Sequence, residues 1–328
     1  MVEEVANNIF RIGVPLPNNP LRELNSYFIR GTDRDVLIDT GFRNDECRAA
    51  LEEGLCSLGS DPERRDVLVT HLHSDHSGMA DLFVGKTRHV YISATDMQYI
   101  GYFLYEPDYR RRQRSRYIRE GLDASLEAEI FKVNPANQQT LKELTDQFVP
   151  LQTGNTIDVG EYTLETIIVP GHTPGNAVFW CEKQGILFCG DHVLFDISPN
   201  ITVWDKVEDS LGNYLNNLER VRALPVKLAM PGHRKTGDFA ERVDALLAHY
   251  HRRLDEVRQI LRDTPGLTAY EIASRMTWRI RARNWEEFPI TQKWFALGEC
   301  LSHLDYLRKR EIVSRREENG RLCYYLTR

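Results

Sequence analysis

Thr70-His71-Leu72-His73-Ser74-Asp75-His76-Ser77-Gly78 follows the apolar run Val67-Leu68-Val69 and packs three histidines and one aspartate into six positions. Neutral imidazoles and a carboxylate suit zinc and its neighbours, and burying them together requires a positive partner to neutralise and orient them. In an extended segment alternate side chains share a face, so His71 and His73 can grip one ion. The turn that follows lets Asp75 and His76 point to a second position. A solvated surface loop is the plain alternative, and the spacing favours two adjacent metal positions over it.

The same design recurs along the chain. An apolar strand over 162–169 leads to Pro170-Gly171-His172-Thr173-Pro174-Gly175, one over 186–189 to Gly190-Asp191-His192, and one over 226–230 to Pro231-Gly232-His233. Upstream, Val36-Leu37-Ile38 ends in Asp39-Thr40-Gly41. Open α/β sheets place their sites at the carboxyl ends of strands, and four such ends bearing ligand-type residues point to one convergent site.

Around these ends the chain reads as α/β. Short strands at 8–12, 26–29 and 36–38, with the turn Gly31-Thr32-Asp33, predict a β-meander. Cys47, Ala50, Leu51, Leu55 and Leu58 predict a helix over 44–58, and a strand over 66–69 delivers the histidine loop. A short helix through Leu82 and Phe83 and a strand over 89–93 follow. Residues 97–150 differ in texture, setting Tyr99, Tyr102, Tyr105, Tyr109 and Tyr117 among Arg110, Arg111, Arg112, Arg114, Arg116 and Arg119. They predict a pair of amphipathic helices covering the sheet with solvated arginines or, more sharply, a lid whose aromatic and cationic side chains, Tyr99, Tyr102 and Tyr105 among them, meet an apolar, anionic substrate. Strands over 177–181 and 186–189 form a hairpin, and helices over 210–224 and 237–262 complete the first domain, 1–262. After the breaker Thr264-Pro265-Gly266 come a capping box from Thr268 to Glu271, a helix over 291–309 and a hairpin about Asn319-Gly320. Residues 263–328 therefore predict an α+β winged-helix-like domain.

Composition narrows the partners. A net charge of -6 over 328 residues offers no whole-chain argument for nucleic acid or membrane. From 265 to 328 there are 12 Lys/Arg against 8 Asp/Glu, a moderate balance of +4. Glu3 and Glu4 occupy the start where a signal peptide would be basic, and no run is apolar and long enough to span a bilayer. Six scattered cysteines without a C-x-x-C pair read as reduced thiols in a cytoplasmic protein. His89, His249, His251 and His303 read as surface or structural. His192, beside Asp191, is expected to contact a ligand or substrate, and Arg234 to meet a substrate anion.

The ordered set His71, His73, Asp75, His76, His172, Asp191 and His233, preceded by Asp39, resembles the metallo-β-lactamase-fold hydrolases over about residues 5 to 262, in the glyoxalase II and endoribonuclease-like group. The resemblance implies an αββα sandwich with metals at one edge. It assigns His71, His73 and His172 to one divalent ion, Asp75, His76 and His233 to a second, and Asp191 to a bridge, with Asp39 orienting the histidine loop. Zinc is the expected metal, with iron and manganese fitting similar ligands. Asp75 and Asp191 are the expected catalytic carboxylates, and a metal-bridging hydroxide the nucleophile. True β-lactamases of this fold carry Arg at His76 and Cys at Asp191, which argues against antibiotic hydrolysis. Flavodiiron relatives carry Glu at His73, which argues against redox iron.

The expected function is hydrolysis of a small-molecule thioester, ester or lactone. The tail would then pack on the hydrolase domain or form a homodimer contact. The rival is an endoribonuclease-like phosphodiesterase gripping RNA through Arg308, Lys309, Arg310, Arg315, Arg316 and Arg321. A metal-bound regulator without catalysis is the third reading.

Overall fold

A computed structural model describes residues 1–133, 139–279 and 282–327, apart from the side chains of Arg110 and Phe131. Its first sheet runs in sequence order through β1 (Val2–Ala6), β2 (Ile9–Pro15), β3 (Glu23–Ile29), β4 (Asp35–Ile38), β5 (Arg65–Leu68), β6 (Val90–Ser93) and β7 (Phe148–Leu151). The pairs from β1 to β4 are antiparallel, the expected meander of β2 to β4 with β1 added at its edge, and those from β4 to β7 are parallel. The parallel crossovers are filled by α1 (Asp45–Ser57), by α2 (Ser74–Ser77) with α3 (Ala80–Phe83), and by the insert. A second sheet comprises β8 (Thr156–Val159), β9 (Tyr162–Ile168), β10 (Ala177–Cys181), β11 (Ile186–Gly190) and β12 (Leu228–Pro231), in spatial order β12-β11-β10-β9-β8.

Period-2 alternation assigns each strand residue to a layer. Tyr27, Ile29, Val36, Ile38 and Leu68 of the first sheet face Phe179, Phe188, Leu164 and Met230 of the second in one buried cluster. Their neighbours Phe28, Leu37 and Val67 point the other way, onto Leu51 and Leu55 of α1 and Ile100 of the insert. Leu187, Cys189, Val178 and Trp180 turn outward onto α7 (Ser210–Arg222) and α8 (Phe239–Asp263). Two sheets buried on both faces between helical layers are a mixed α/β sandwich.

The insert differs from the expected pair of helices. It holds three, α4 (Ala94–Tyr105), α5 (Pro107–Arg119) and α6 (Ala124–Val133), because Pro107 starts a new helix one residue after the first ends. Its final residues belong to β7, and β8, missed in the sequence, is a short strand at the edge of its sheet with alternate residues exposed.

The C-terminal segment forms β13 (Leu267–Thr268), α9 (Ala269–Arg275), α10 (Ile290–Lys309), β14 (Val313–Glu318) and β15 (Arg321–Leu326), the strands making a sheet of order β13-β15-β14. The Thr268–Glu271 capping box is formed. One apolar cluster continues without a break from β10 and β11 through α7 and α8 into Ile272, Leu301, Leu304 and Tyr324. The chain's core therefore does not divide at residue 263. Among the described residues no helix is long and apolar enough to cross a membrane.

Candidate metal centre

The loops after β5, β9, β11 and β12 bring all seven candidate ligands together. His71, His73 and His172 offer ring nitrogens within 4.8 Å of one another, as do the ligand atoms of His71, His76 and Asp191, and those of Asp75, His76 and His233. All seven side chains are buried or nearly so. Close backbone approach makes the cluster possible. Gly190, at φ +48°, sits where a Cβ would lie 2.7 Å from Thr70 Cβ, and a Cβ on Gly232 would lie 2.7 Å from Asp191 Oδ1.

The hydrogen bonds fix which nitrogens face inward. His76 Nδ1 lies 2.7 Å from Asp39 Oδ2, His172 Nδ1 2.8 Å from Asn200 O, and His233 Nδ1 2.8 Å from Glu23 O. Ionised carboxylate and carbonyl oxygens only accept, so each Nδ1–H is the donor. Thr70 Oγ1 donates to Asp39 Oδ2 at 2.7 Å, leaving its oxygen to accept from His71 Nδ1–H at 3.0 Å. In the neutral rings every Nε2 of these four histidines is then a lone pair. His76 Nε2 and His233 Nε2 face each other at 3.2 Å, and His71 Nε2 lies 3.1 Å from His73 Nδ1. His172 Nε2 and Asp191 Oδ1 are buried without any hydrogen-bond partner. Lone pairs aimed at one another beside two carboxylates repel unless a cation lies among them, and the donor set is that of a divalent ion.

The protein's own charges act in the same sense. Against burial, Asp39, Asp191 and Asp75 push the His76 pKa up to about 10. Burial and neighbouring His76, His73 and His172 hold His71 well below its usual value, and burial with His172 takes His73 down to about 3. Against burial again, His76, His233 and His73 hold the Asp75 carboxyl low. Acceptors and would-be cations are crowded into one desolvated volume.

Asp39, expected from the sequence to orient the histidine loop, also accepts from Thr70 N at 2.8 Å, and it adopts a left-handed backbone with φ 60°. Other supports were invisible in the sequence. Asp96, fully buried at the start of α4, accepts from Leu72 N at 2.9 Å, Thr173 Oγ1 at 2.7 Å and Gly175 N at 2.6 Å, joining the first ligand loop to the second. Burial raises its pKa to about 6 despite these donors. Asn25 on β3 ties down the His233 loop through Pro231 O and Arg234 O. Trp204 stacks on His73 with centroids 6.1 Å apart. Ser93-x-x-Asp96 carried a helix-start signal, but nothing local marked how far Asp96 reaches.

A cavity of about 1050 Å³ opens from His73, Asp75, His172 and Asp191 and runs between the insert and the C-terminal segment. Its walls include Ile100, Phe103 and Leu104 of α4, Ile130 and Val133 of α6, and Trp294 and Phe295 of α10. Three expected substrate contacts lie elsewhere. Tyr99 is buried and donates to Asp205 O, Tyr102 stacks on Tyr109, and Tyr105 accepts from Leu144 N. Helical geometry explains the correction, since the apolar face toward the cavity falls at Ile100, Phe103 and Leu104 instead. Arg234, also outside the wall, donates to Pro20 O at 3.1 Å. His192 is buried against the Tyr214 ring, 5.2 Å away, and is not among the residues that line the cavity.

Comparison with known proteins agrees with this geometry. Residues 20–233 match the sequence profile of the Metallo-beta-lactamase superfamily. The chain is 26% identical to the probable metallo-hydrolase YqjP of Bacillus subtilis over 98% of both chains. It is 28% identical to the human acyl-coenzyme A thioesterase MBLAC2 over 69% of this chain and 78% of that protein. A crystal structure of a beta-lactamase domain protein from Burkholderia ambifaria superimposes with a TM-score of 0.85 at 26% identity, over 99% of this chain and 94% of that one. Ligand loops, sandwich and profile agree: this chain belongs to the metallo-beta-lactamase superfamily.

Proposed function

We propose that the protein is a metal-dependent hydrolase of small-molecule thioesters, with esters and lactones as neighbouring substrates. The observation that carries this reading is the convergence of inward-facing histidine nitrogens and two carboxylates at the inner end of a largely apolar cavity. His71, His73 and His172 would hold one divalent ion, Asp75, His76 and His233 a second, and Asp191 would serve both. Bound there, such ions supply a nucleophilic water near neutral pH and a positive field on the substrate carbonyl oxygen. Zinc suits the nitrogen-rich donor set.

The chain's own residues do the rest. Asp39, Asn200 O and Glu23 O hold His76, His172 and His233 in the tautomer that points Nε2 inward. Asp191, with an oxygen free of hydrogen bonds, is placed to orient the attacking water. Ile100, Phe103, Leu104, Ile130 and Val133 keep bulk water from the acyl group and position it. The thioesterase name of the human relative supports a thioester over the alternatives.

The C-terminal segment we read as a winged-helix-like module that packs on the hydrolase domain and completes the cavity. The RNA-cleaving reading loses support because the tail's cations are engaged within the chain. Arg308 pairs with Asp305, Lys309 with Glu208, Arg310 with Asp209 and Arg315 with Glu120, while Arg316 lies over the Tyr325 ring. Among the described residues, Arg321 is the one of the six in no ion pair or ring contact.

The test is a panel of acyl-coenzyme A, acyl-glutathione and lactone substrates assayed with zinc-loaded protein. Turnover of a thioester, abolished by a chelator and restored by zinc, is the expected result. Metal-replete protein that hydrolyses none of them would leave the RNA-cleaving and non-catalytic readings.

A further inference from the structure

The cavity is lined by arginines of two kinds. On α5 each is matched by carboxylates: Arg112 by Glu106 and Asp205, Arg114 by Glu127, and Arg116 by Asp305. Arg242 and Arg252 of α8, and Arg279 beyond α9, line the same cavity with no ion pair among the described residues. The half-buried Arg242 donates only to the carbonyls of Leu194 and Ile197. Arg252 and Arg279 are exposed at the rim. Nearby carboxylates are engaged elsewhere, Asp196 by Lys235, Asp244 by Arg222 and Asp255 by Arg258.

His249, also in the wall, lies in the middle of this positive field. Its Nε2 is buried and has no hydrogen-bond partner. Burial, then Arg253, Arg252, Arg279 and Arg242, lower its pKa to about 4, so it stays neutral and adds no charge of its own. Arg253 is answered by Glu256 and Glu299, and Asp196 acts on Arg242, which leaves Arg252 and Arg279 without a carboxylate partner among the described residues.

We propose that Arg242, Arg252, Arg279 and His249 form an anion subsite that takes the phosphate-bearing handle of a thioester substrate. The argument is one of chemistry and placement. Guanidinium groups match phosphate oxygens with paired donors, and several without ion-pair partners at a cavity mouth concentrate a polyanion there. The same cavity reaches the ligand cluster at its inner end and is apolar along the insert, so acyl group, scissile carbonyl and anionic handle each meet a matching wall. The subsite rests on reading the metal centre as a thioester hydrolase and narrows its substrates to those with a phosphate ester on the leaving thiol.

The test is titration calorimetry on full-length, metal-loaded protein with two thiol-free probes, adenosine 3′,5′-bisphosphate and 4′-phosphopantothenate. At least one should bind saturably, more weakly as salt rises. An Arg252→Ala/Arg279→Ala double variant with wild-type metal content and circular dichroism should raise the Kd about tenfold or more. Tighter bisphosphate binding assigns a nucleotide-bearing handle, and tighter phosphopantothenate binding a phosphopantetheine one. Absence of saturable binding to the wild type, or equal affinity in the double variant, overturns the subsite. If the probes bind as expected while no thioester is hydrolysed, the proposed reaction fails and the subsite stands.

Discussion

At the inner end of the cavity the inward-pointing rings are pinned, with His76, His172 and His233 each spending Nδ1–H on an oxygen 2.7–2.8 Å away. At the insert end the wall is Ile100, Phe103, Leu104, Ile130 and Val133, apolar side chains set by packing and ring contacts, and Val133 is 50% exposed. The first region has directional bonds that tolerate no substitution without a change of tautomer or charge. The second relies on shape and apolar area, which tolerate exchange at modest loss. On the proposed function, chemistry belongs to the rigid end and discrimination among acyl groups to the adaptable one.

Breaking the rigid end should have the largest effects. Asp191→Ala or His73→Ala is expected to remove metal and to lower kcat/KM by at least about 1000-fold together, with far-ultraviolet circular dichroism unchanged. Next comes the support behind the ligands. Asp39→Asn keeps the shape but weakens the acceptor of His76 Nδ1–H, and should reduce metal affinity by about 10- to 100-fold in competition with a chromophoric chelator. Wild-type affinity in that variant would mean that His76 is oriented by something else.

Asp96→Asn probes the strut between the two regions. Three donors converge on its carboxylate, and an amide would turn an NH₂ toward one of them, so urea unfolding should register a loss of about 1–3 kcal/mol. The smallest effects belong to the insert. Phe103→Ala should raise KM for a medium-chain acyl substrate by about tenfold, whereas Tyr105→Ala, whose side chain lies off the cavity wall, should leave KM within about twofold. Equal effects of the two would erase the distinction between a cavity-facing and an outward face of α4.

What was legible in the chain follows the same division. The candidate ligands sit at strand ends in short local patterns, so all seven could be proposed from the sequence, and the structure brings them together. The strands β2 to β5 and β9 to β11 were readable as short apolar runs between turns, whereas the sandwich followed from the family resemblance that the candidate ligand set carries. The supports are tertiary. Asn200 and Glu23 act through backbone carbonyls that any residue possesses, and Asp96 reaches across three loops. In the insert, tyrosine content suggested the wrong face because composition is blind to rotation about a helix axis. His192 misled through its neighbour in sequence: adjacent residues leave a strand end in opposite directions, and only Asp191 turns inward.

The central claim is that the converging lone pairs exist to hold two divalent ions. Anomalous diffraction from crystals of zinc-loaded protein, with metal content measured on the same batch, tests it most directly. The account predicts two ions per chain, one among His71, His73 and His172 and the other among Asp75, His76 and His233. A single ion, or none after loading, with the seven side chains arranged as they are here, would contradict it.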